Sequence, residues 1–218
     1  MQAIDHTAIT SLGIPRLLLM DHAGLAIAGA VRQLLQSRRS RAASAAILIC
    51  AGTGFNGGDG LSAARHLAGW GYAVRVALLG RIDKLREEPA VFARVLRALD
   101  IPLREVVSPG AVSRLQGWID DSAVIVDALL GIGVRGEIRE PIRRMIERIN
   151  RSGRPVVSAD VPSGLNADTG TPVPVAVRAT VTVTFGCAKV GCLRGAGPVY
   201  AGTVLVNPIT IPQRLLCS

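Results

Sequence analysis

Aromatic residues are scarce in this chain: two Trp, two Tyr and three Phe among 218 residues. Single-stranded nucleic acid is gripped by stacking bases on such rings, so the shortage argues against nucleic acid as the ligand, although the formal charge of +9 favours some anionic partner. The same shortage means that the core must be filled by Ala, Val, Leu and Ile, which suits parallel strands buried on both faces. Long basic runs are missing too. The densest cluster, Arg38, Arg39 and Arg41, is broken by Ser40 and reads as a solvated helix end. Cys50, Cys187, Cys192 and Cys217 show neither CxxC nor zinc-ligand spacing, a pattern that fits reduced thiols in a cytoplasmic protein. The apolar stretch at 17–31 is interrupted by Asp21 and His22, and no cleavage site follows a basic start, so neither a membrane span nor a secretory signal is expected. No repeat, low-complexity tract or linker divides the sequence, and one domain over residues 1–218 is expected.

Short apolar runs at 46–50, 73–79, 103–107, 124–127, 156–160, 180–185 and 203–206 alternate with amphipathic segments. Helices are expected at 60–68, 88–99, 111–120 and 141–150, after a first helix that Pro15 opens and that carries Leu18, Leu25, Ala28, Val31 and Leu35 on one face. Strand and helix in alternation imply an α/β fold: a three-layer αβα sandwich around a mostly parallel, doubly wound, Rossmann-like sheet. Between the last two strand-like runs no helical pattern is visible, which predicts a hairpin-like finish. His22 lies beside the apolar helical face and reads as a packing residue.

Ligands of such sheets bind beyond the carboxyl ends of the strands, where the strand order reverses. Three runs end in polar, glycine-rich loops: GTGFNGGDG, DALLGIGVRGE and DVPSGLNADTG. The first contains GxGxxG in Gly52, Gly54 and Gly57, yet the second strand ends in Leu79, Gly80 and Arg81 without the acid that would hold a dinucleotide's ribose, Asp83 coming too late. No Lys-Ser or Lys-Thr follows to make a P-loop. A tight turn into a helix capped by Asp59 is the plainer alternative for the glycines alone. Asp127 and Asp160, each at a strand exit, together with Asn56 and Ser163, shift the balance toward a site.

In combination, GTGFNGGDGLSAARHL, VDALLGIGVRG, SADVPSGLNADTG and TVTFGCAKVG resemble the NAD(P)H-hydrate epimerases, the YjeF N-terminal-domain family, and QAIDHTAITSLGIPRLLLMDHAG resembles that family's opening segment. The resemblance covers nearly the whole chain. It implies an isomerase that interconverts the R and S epimers of hydrated NADH and NADPH (NADHX and NADPHX) at C6 for repair of nicotinamide nucleotides. It implies substrate contacts from Phe55, Asn56, Gly57, Gly58 and Asp59, from Gly131, Ile132, Gly133, Val134, Arg135, Gly136 and Glu137, and from Asp160. A potassium ion is implied at Asn56, Asp127 and Ser163, oxygen donors that suit a hard monovalent cation. Phe55 stands where the family commonly has Asn, and Asp21 where it usually has Glu.

Epimerisation moves a proton at the C6 hydroxyl and creates a cationic intermediate, roles that a carboxylate at Asp160 can serve. Lys189 is the second candidate, orienting Asp160 or anchoring a phosphate; an exposed loop lysine is the plainer alternative. The partner expected is a separate ADP- or ATP-dependent dehydratase that consumes the product, and a homodimer is one of the open assembly states. A non-catalytic nucleotide- or RNA-associated binding module on the same fold is the alternative function.

Overall fold

The computed structural model describes residues 2–37, 46–133 and 136–216. Seven strands form one sheet in the order β3-β2-β1-β4-β5-β6-β7, and every pairing is parallel. The strands are β1 (Ala46–Ala51), β2 (Val74–Leu78), β3 (Leu103–Glu105), β4 (Ser122–Ala128), β5 (Val156–Ala159), β6 (Val181–Phe185) and β7 (Thr203–Asn207). All seven coincide with the apolar runs of the sequence.

Helices α1 (Gln2–Thr10) and α2 (Arg16–Ser37) precede the sheet. Then come α3 (Phe55–Gly69), α4 (Glu87–Ala98), α5 (Pro109–Ser113), α6 (Gln116–Asp120), α7 (Ile142–Arg151), α8 (Val190–Leu193), α9 (Gly197–Ala201) and α10 (Gln213–Leu216). The expected hairpin between the last strands is not there. Two helices of four and five residues, α8 and α9, carry the chain across so that β7 lies parallel to β6. They are too short to show a helical period in sequence. The single helix expected at 111–120 is two short ones, α5 and α6, the first capped by the Ser108 hydroxyl, which accepts from the Ala111 N–H.

Alternation along the strands divides the core. Ile47, Ile49 and Ala51 of β1, with Val124 and Val126 of β4, face a layer built by α2, α3 and α4. Leu48, Cys50 and Ile125 face the other layer, where Val112, Ile119, Met145, Ile146 and Ile149 of α5, α6 and α7 cover them. Every residue of β1 is buried, as a central strand covered on both faces requires. Phe92 and Phe185 are the buried aromatic members of the main cluster among the described residues, and Tyr72 packs against it.

The strand order reverses between β1 and β4, so the chain leaving β1 and the chain leaving β4 diverge to opposite faces and open a crevice. At its base the Gly52 N–H donates to the Ala128 carbonyl at 2.9 Å. A Cβ on Gly52 would lie 2.1 Å from the Leu129 carbonyl oxygen, so only glycine lets these two strand exits approach so closely.

Candidate active site

Helix α3 starts at Phe55, inside the glycine stretch, with Gly54 as its N-cap residue. The expected start at Gly60 is thus too late by more than a turn. Asp59 consequently caps nothing: it lies in the second turn of α3. The early start is a product of packing rather than propensity. A Cβ on Gly57 would sit 1.9 Å from the Gly52 carbonyl oxygen, and one on Gly60 2.6 Å from the Ala128 Cβ, so the glycines let the helix lie directly on the strand exits. The first-turn N–H groups of α3 have no partners within the helix, and with the helix dipole they make its N-terminus favourable for a phosphate.

This N-terminus borders a cavity of about 950 Å³, at the upper end of the range for small-molecule and cofactor sites. Of the residues proposed from sequence, the cavity wall includes Phe55, Asn56, Gly57, Asp59, Gly131, Ile132, Gly133, Glu137, Asp160 and Lys189. Val134 and Arg135 lie outside the described residues, and Gly136 is not part of the wall. Gly58 is not either: a Cβ there would meet the Met20 Sδ at 2.5 Å and the Pro89 Cγ at 2.9 Å, so this glycine serves the packing of α3 against α2 and the start of α4, and its φ is not positive.

Asp160 follows β5 with a φ of +63°, a left-handed conformation that Asp tolerates better than most residues. Its Oδ1 accepts from the Lys189 ammonium, the Thr184 hydroxyl (3.2 Å) and the Phe185 N–H (3.2 Å). All three donors converge on one oxygen, which leaves Oδ2 for a ligand. Lys189, at the N-terminus of α8, also donates to the Phe185 carbonyl, and its side chain is only 9% exposed. It is no free surface lysine.

Asp127 and Ser163 lie beneath the cavity rather than on its wall. In the sheet Asp127 stands between Cys50 of β1 and Ser158 of β5. It is fully buried, and its carboxylate accepts from the Ser158 hydroxyl (2.8 Å), the Ser163 hydroxyl (2.6 Å), the Ser163 N–H (2.9 Å) and the Leu129 N–H (3.4 Å). Burial raises its pKa above the ordinary carboxylate value, against the lowering effect of those hydrogen bonds. The Ser163 oxygen in turn accepts from the Leu130 N–H at 2.9 Å, tying the loop after β4 to the loop after β5. Asn56 joins the same knot, its Nδ2 donating to the Leu130 carbonyl at 2.9 Å while its buried Oδ1 has no partner among the described residues.

That orphaned oxygen, next to a loop anchored on a buried carboxylate without a cationic partner among the described residues, is the surrounding a potassium ion would satisfy. Among the described residues no group of three His, Cys, Asp or Glu side chains could hold a transition metal.

Sequence reasoning passed over the contribution of the N-terminal segment. Asp5, His6 and Ile9 of α1 and Arg16 and Met20 of α2 line the cavity as well. Arg16 donates to Glu87 at 2.8 Å and lies 5.0 Å from the centroid of the Phe55 ring, which is half exposed at the rim. Nothing in the spacing of α1 marks Asp5 as a site residue; only the fold brings it to the wall. Asp21, by contrast, is turned away from the cavity, bonded to Ser62 (2.8 Å) and Arg65 (2.5 Å) of α3. Burial opposes its ionisation, but those two hydrogen bonds and the Arg65 charge leave its pKa lowered.

Comparison with known proteins converges on one family. The profile described as YjeF-related protein N-terminus matches residues 16–191. A bifunctional NAD(P)H-hydrate repair enzyme of Pyrobaculum aerophilum is 45% identical over 204 residues, which cover 92% of this chain and 39% of that protein. An NAD(P)H-hydrate epimerase of Limosilactobacillus fermentum is 36% identical over 206 residues, 94% of this chain and 92% of that one. The crystal structure of yeast ynu0 superposes with a TM-score of 0.82 at 26% identity, covering 98% of this chain and 88% of that one. The chain thus spans about two fifths of the bifunctional relative and nearly the full length of the single-activity one.

Proposed function

The chain belongs to the YjeF-related N-terminal family, and from that premise we propose that it is an NAD(P)H-hydrate epimerase, interconverting the R and S epimers of NADHX and NADPHX at C6. The observation that carries the reading is the Asp160 and Lys189 ion pair on the wall of a dinucleotide-sized cavity that also meets the start of α3. The α3 N-terminus supplies N–H donors for a phosphate, and Arg16 adds positive charge at the rim. Both fit a substrate with a pyrophosphate bridge.

When the C6 hydroxyl departs, the nitrogen lone pair of the tetrahydropyridine ring forms a cationic C=N bond. A carboxylate preorganised beside that cation lowers the barrier, and Asp160 has its geometry fixed by three donors on Oδ1 before substrate arrives. Lys189 is a positioning residue in this scheme: it orients Asp160 and excludes water from one side. The cavity's apolar wall, with Met20, Leu79, Leu129 and Phe185, limits hydration of the reacting ring.

A potassium ion, when bound, would supply a fixed positive charge and tie three loops together. Asn56, Asp127 and Ser163 would hold it, with the Asn56 Oδ1 as the clearest open donor. A dehydratase specific for one epimer would consume the product. The unpaired thiols of Cys50, Cys187 and Cys192 suit the cytoplasm, a reducing compartment. No described helix is long and apolar enough to cross a membrane. The test is to start from one purified epimer and follow the second by NMR: the protein should bring the two to equilibrium far faster than buffer alone, and an unchanged rate would dismiss the activity.

A further inference from the structure

Five carboxylates line the cavity wall; Glu137 and Glu140 are exposed, and of the three partly buried ones, Asp5, Asp59 and Asp160, only Asp160 is paired. Asp160 holds Lys189; Asp5 of α1 and Asp59 of α3 make no hydrogen bond or ion pair with a described residue. The cations within reach are committed elsewhere, Lys189 to Asp160 and the Phe185 carbonyl, Arg16 to Glu87 and the face of Phe55. His6, Glu137, Arg139 and Glu140 are the other ionisable residues of the wall, and all four are exposed. A buried carboxyl group with no donor to satisfy it keeps its proton, because the charged form loses hydration without compensation. Burial first, then the charges of Asp160 and Asp5, push Asp59 well above the ordinary carboxylate value, with Lys189 opposing.

Position matters as much as proton. Asp59 stands in the second turn of α3 and Asp160 directly after β5, and both line the same cavity. Because the two carboxyl groups reach one cavity from different elements, a planar ring bound there can meet one of them on each face. An epimerase needs that arrangement, because the hydroxyl leaves one face of C6 and returns to the other.

Resting on the epimerase reading above, we propose that Asp59 is a catalytic residue, the general acid that hands its proton to the departing C6 hydroxyl while Asp160 serves the opposite face. In the forward step the Asp59 proton goes to the hydroxyl oxygen, the C6–O bond breaks with its electron pair leaving on water, and the ring nitrogen lone pair closes the C=N bond. In the return step a water oxygen bonds to C6 from the other face, the C=N pair goes back to nitrogen, and the water's proton passes to Asp160. Proton exchange through the open cavity restores Asp59. In the reverse reaction the two carboxyl groups exchange roles. Asp5 is a positioning residue whose negative charge helps Asp59 keep its proton.

The decisive experiment measures epimerisation against pH for the parent, Asp59→Asn, Asp59→Glu and Asp5→Asn. Loss of a general acid should lower kcat of Asp59→Asn by about 10²- to 10⁴-fold, with affinity for NADP⁺ held within about threefold. Its alkaline limb should vanish. Asp59→Glu should recover part of the rate, and Asp5→Asn should move the parent's alkaline limb to lower pH, which a merely structural role at Asp5 would not do. Should Asp59→Asn fail to fold, the limb shift in Asp5→Asn decides by itself. An active parent whose Asp59→Asn variant keeps its rate and alkaline limb overturns this assignment alone. An inactive parent overturns the proposed function and the assignment with it.

Discussion

Replacing Asp127 by alanine tests how the site is held together. The carboxylate accepts four hydrogen bonds, from Ser158, from both groups of Ser163 and, at longer range, from Leu129. Removing it strands buried donors. The Ser163 hydroxyl can turn to the Leu130 carbonyl, already 3.3 Å away, but the Ser163 N–H and the Ser158 hydroxyl lose their acceptor in a dry interior. At about 1–3 kcal/mol for each unsatisfied group the cost is about 2–6 kcal/mol. The variant also escapes the burial penalty that raises the Asp127 pKa, so a net loss of about 2–4 kcal/mol is expected. For a domain of this size that lowers the melting temperature by about 4–16 °C. The second reading is the potassium response. If the ion sits on Asn56, Asp127 and Ser163, the parent should gain stability as potassium is added, sodium should act less well, and Asp127→Ala should lose the response. Thermal melts across a potassium series measure both. An unchanged melting temperature would refute the hydrogen-bond account, and an undiminished potassium response would refute the ligand set.

Asp160→Asn preserves the shape and tolerates the left-handed backbone at φ +63°, so it should fold while turnover falls by about two to four decades; near-parental turnover would remove Asp160 from the mechanism. Gly57→Ala places a Cβ 1.9 Å from the Gly52 carbonyl oxygen, and this overpacking should cost about 2–3 kcal/mol, whereas Gly29→Ala, in the middle of α2 with nothing within 4 Å, should stabilise by about 0.5–1 kcal/mol. Melting both variants without ligand checks the contrast, and a Gly57→Ala protein as stable as the parent would contradict the close approach. Because the native state keeps the Asp59 proton that the unfolded chain releases near pH 4, Asp59 makes unfolding easier as pH rises from there toward its raised native value. Asp59→Asn should therefore melt increasingly above the parent as pH is raised through that window, and a gap independent of pH would show that the carboxyl is not protonated in the fold.

The sheet was legible because every strand but β3 is mainly apolar and β3 opens the run at 103–107, and Asp127 and Asp160 were visible as acids where such runs end. Their roles were less so. Alternation points Asp127 into the covered face of the sheet, where it knots two loops, while the chain turn after β5 sends Asp160 to the cavity. The start of α3 was hidden because glycine is a poor helix former, and only contact with Gly52 and Ala128 explains a helix there. Reading Asp59 as a cap followed from that displaced start. Asp5 and Arg16 gave no signal at all, since a segment so far from the glycine loop in sequence meets it only through the packing of α2 on α3. Likewise the ion pair of Lys189 depends on the short crossover after β6, which no periodicity announces.

Epimerisation is checked by supplying the R epimer of NADHX together with a dehydratase that accepts only the S epimer. Adding this protein should convert the whole pool to NADH at a rate set by its concentration, and Asp160→Asn should leave the R epimer to its slow spontaneous turnover. An R epimer consumed no faster with the protein than without it would contradict the account.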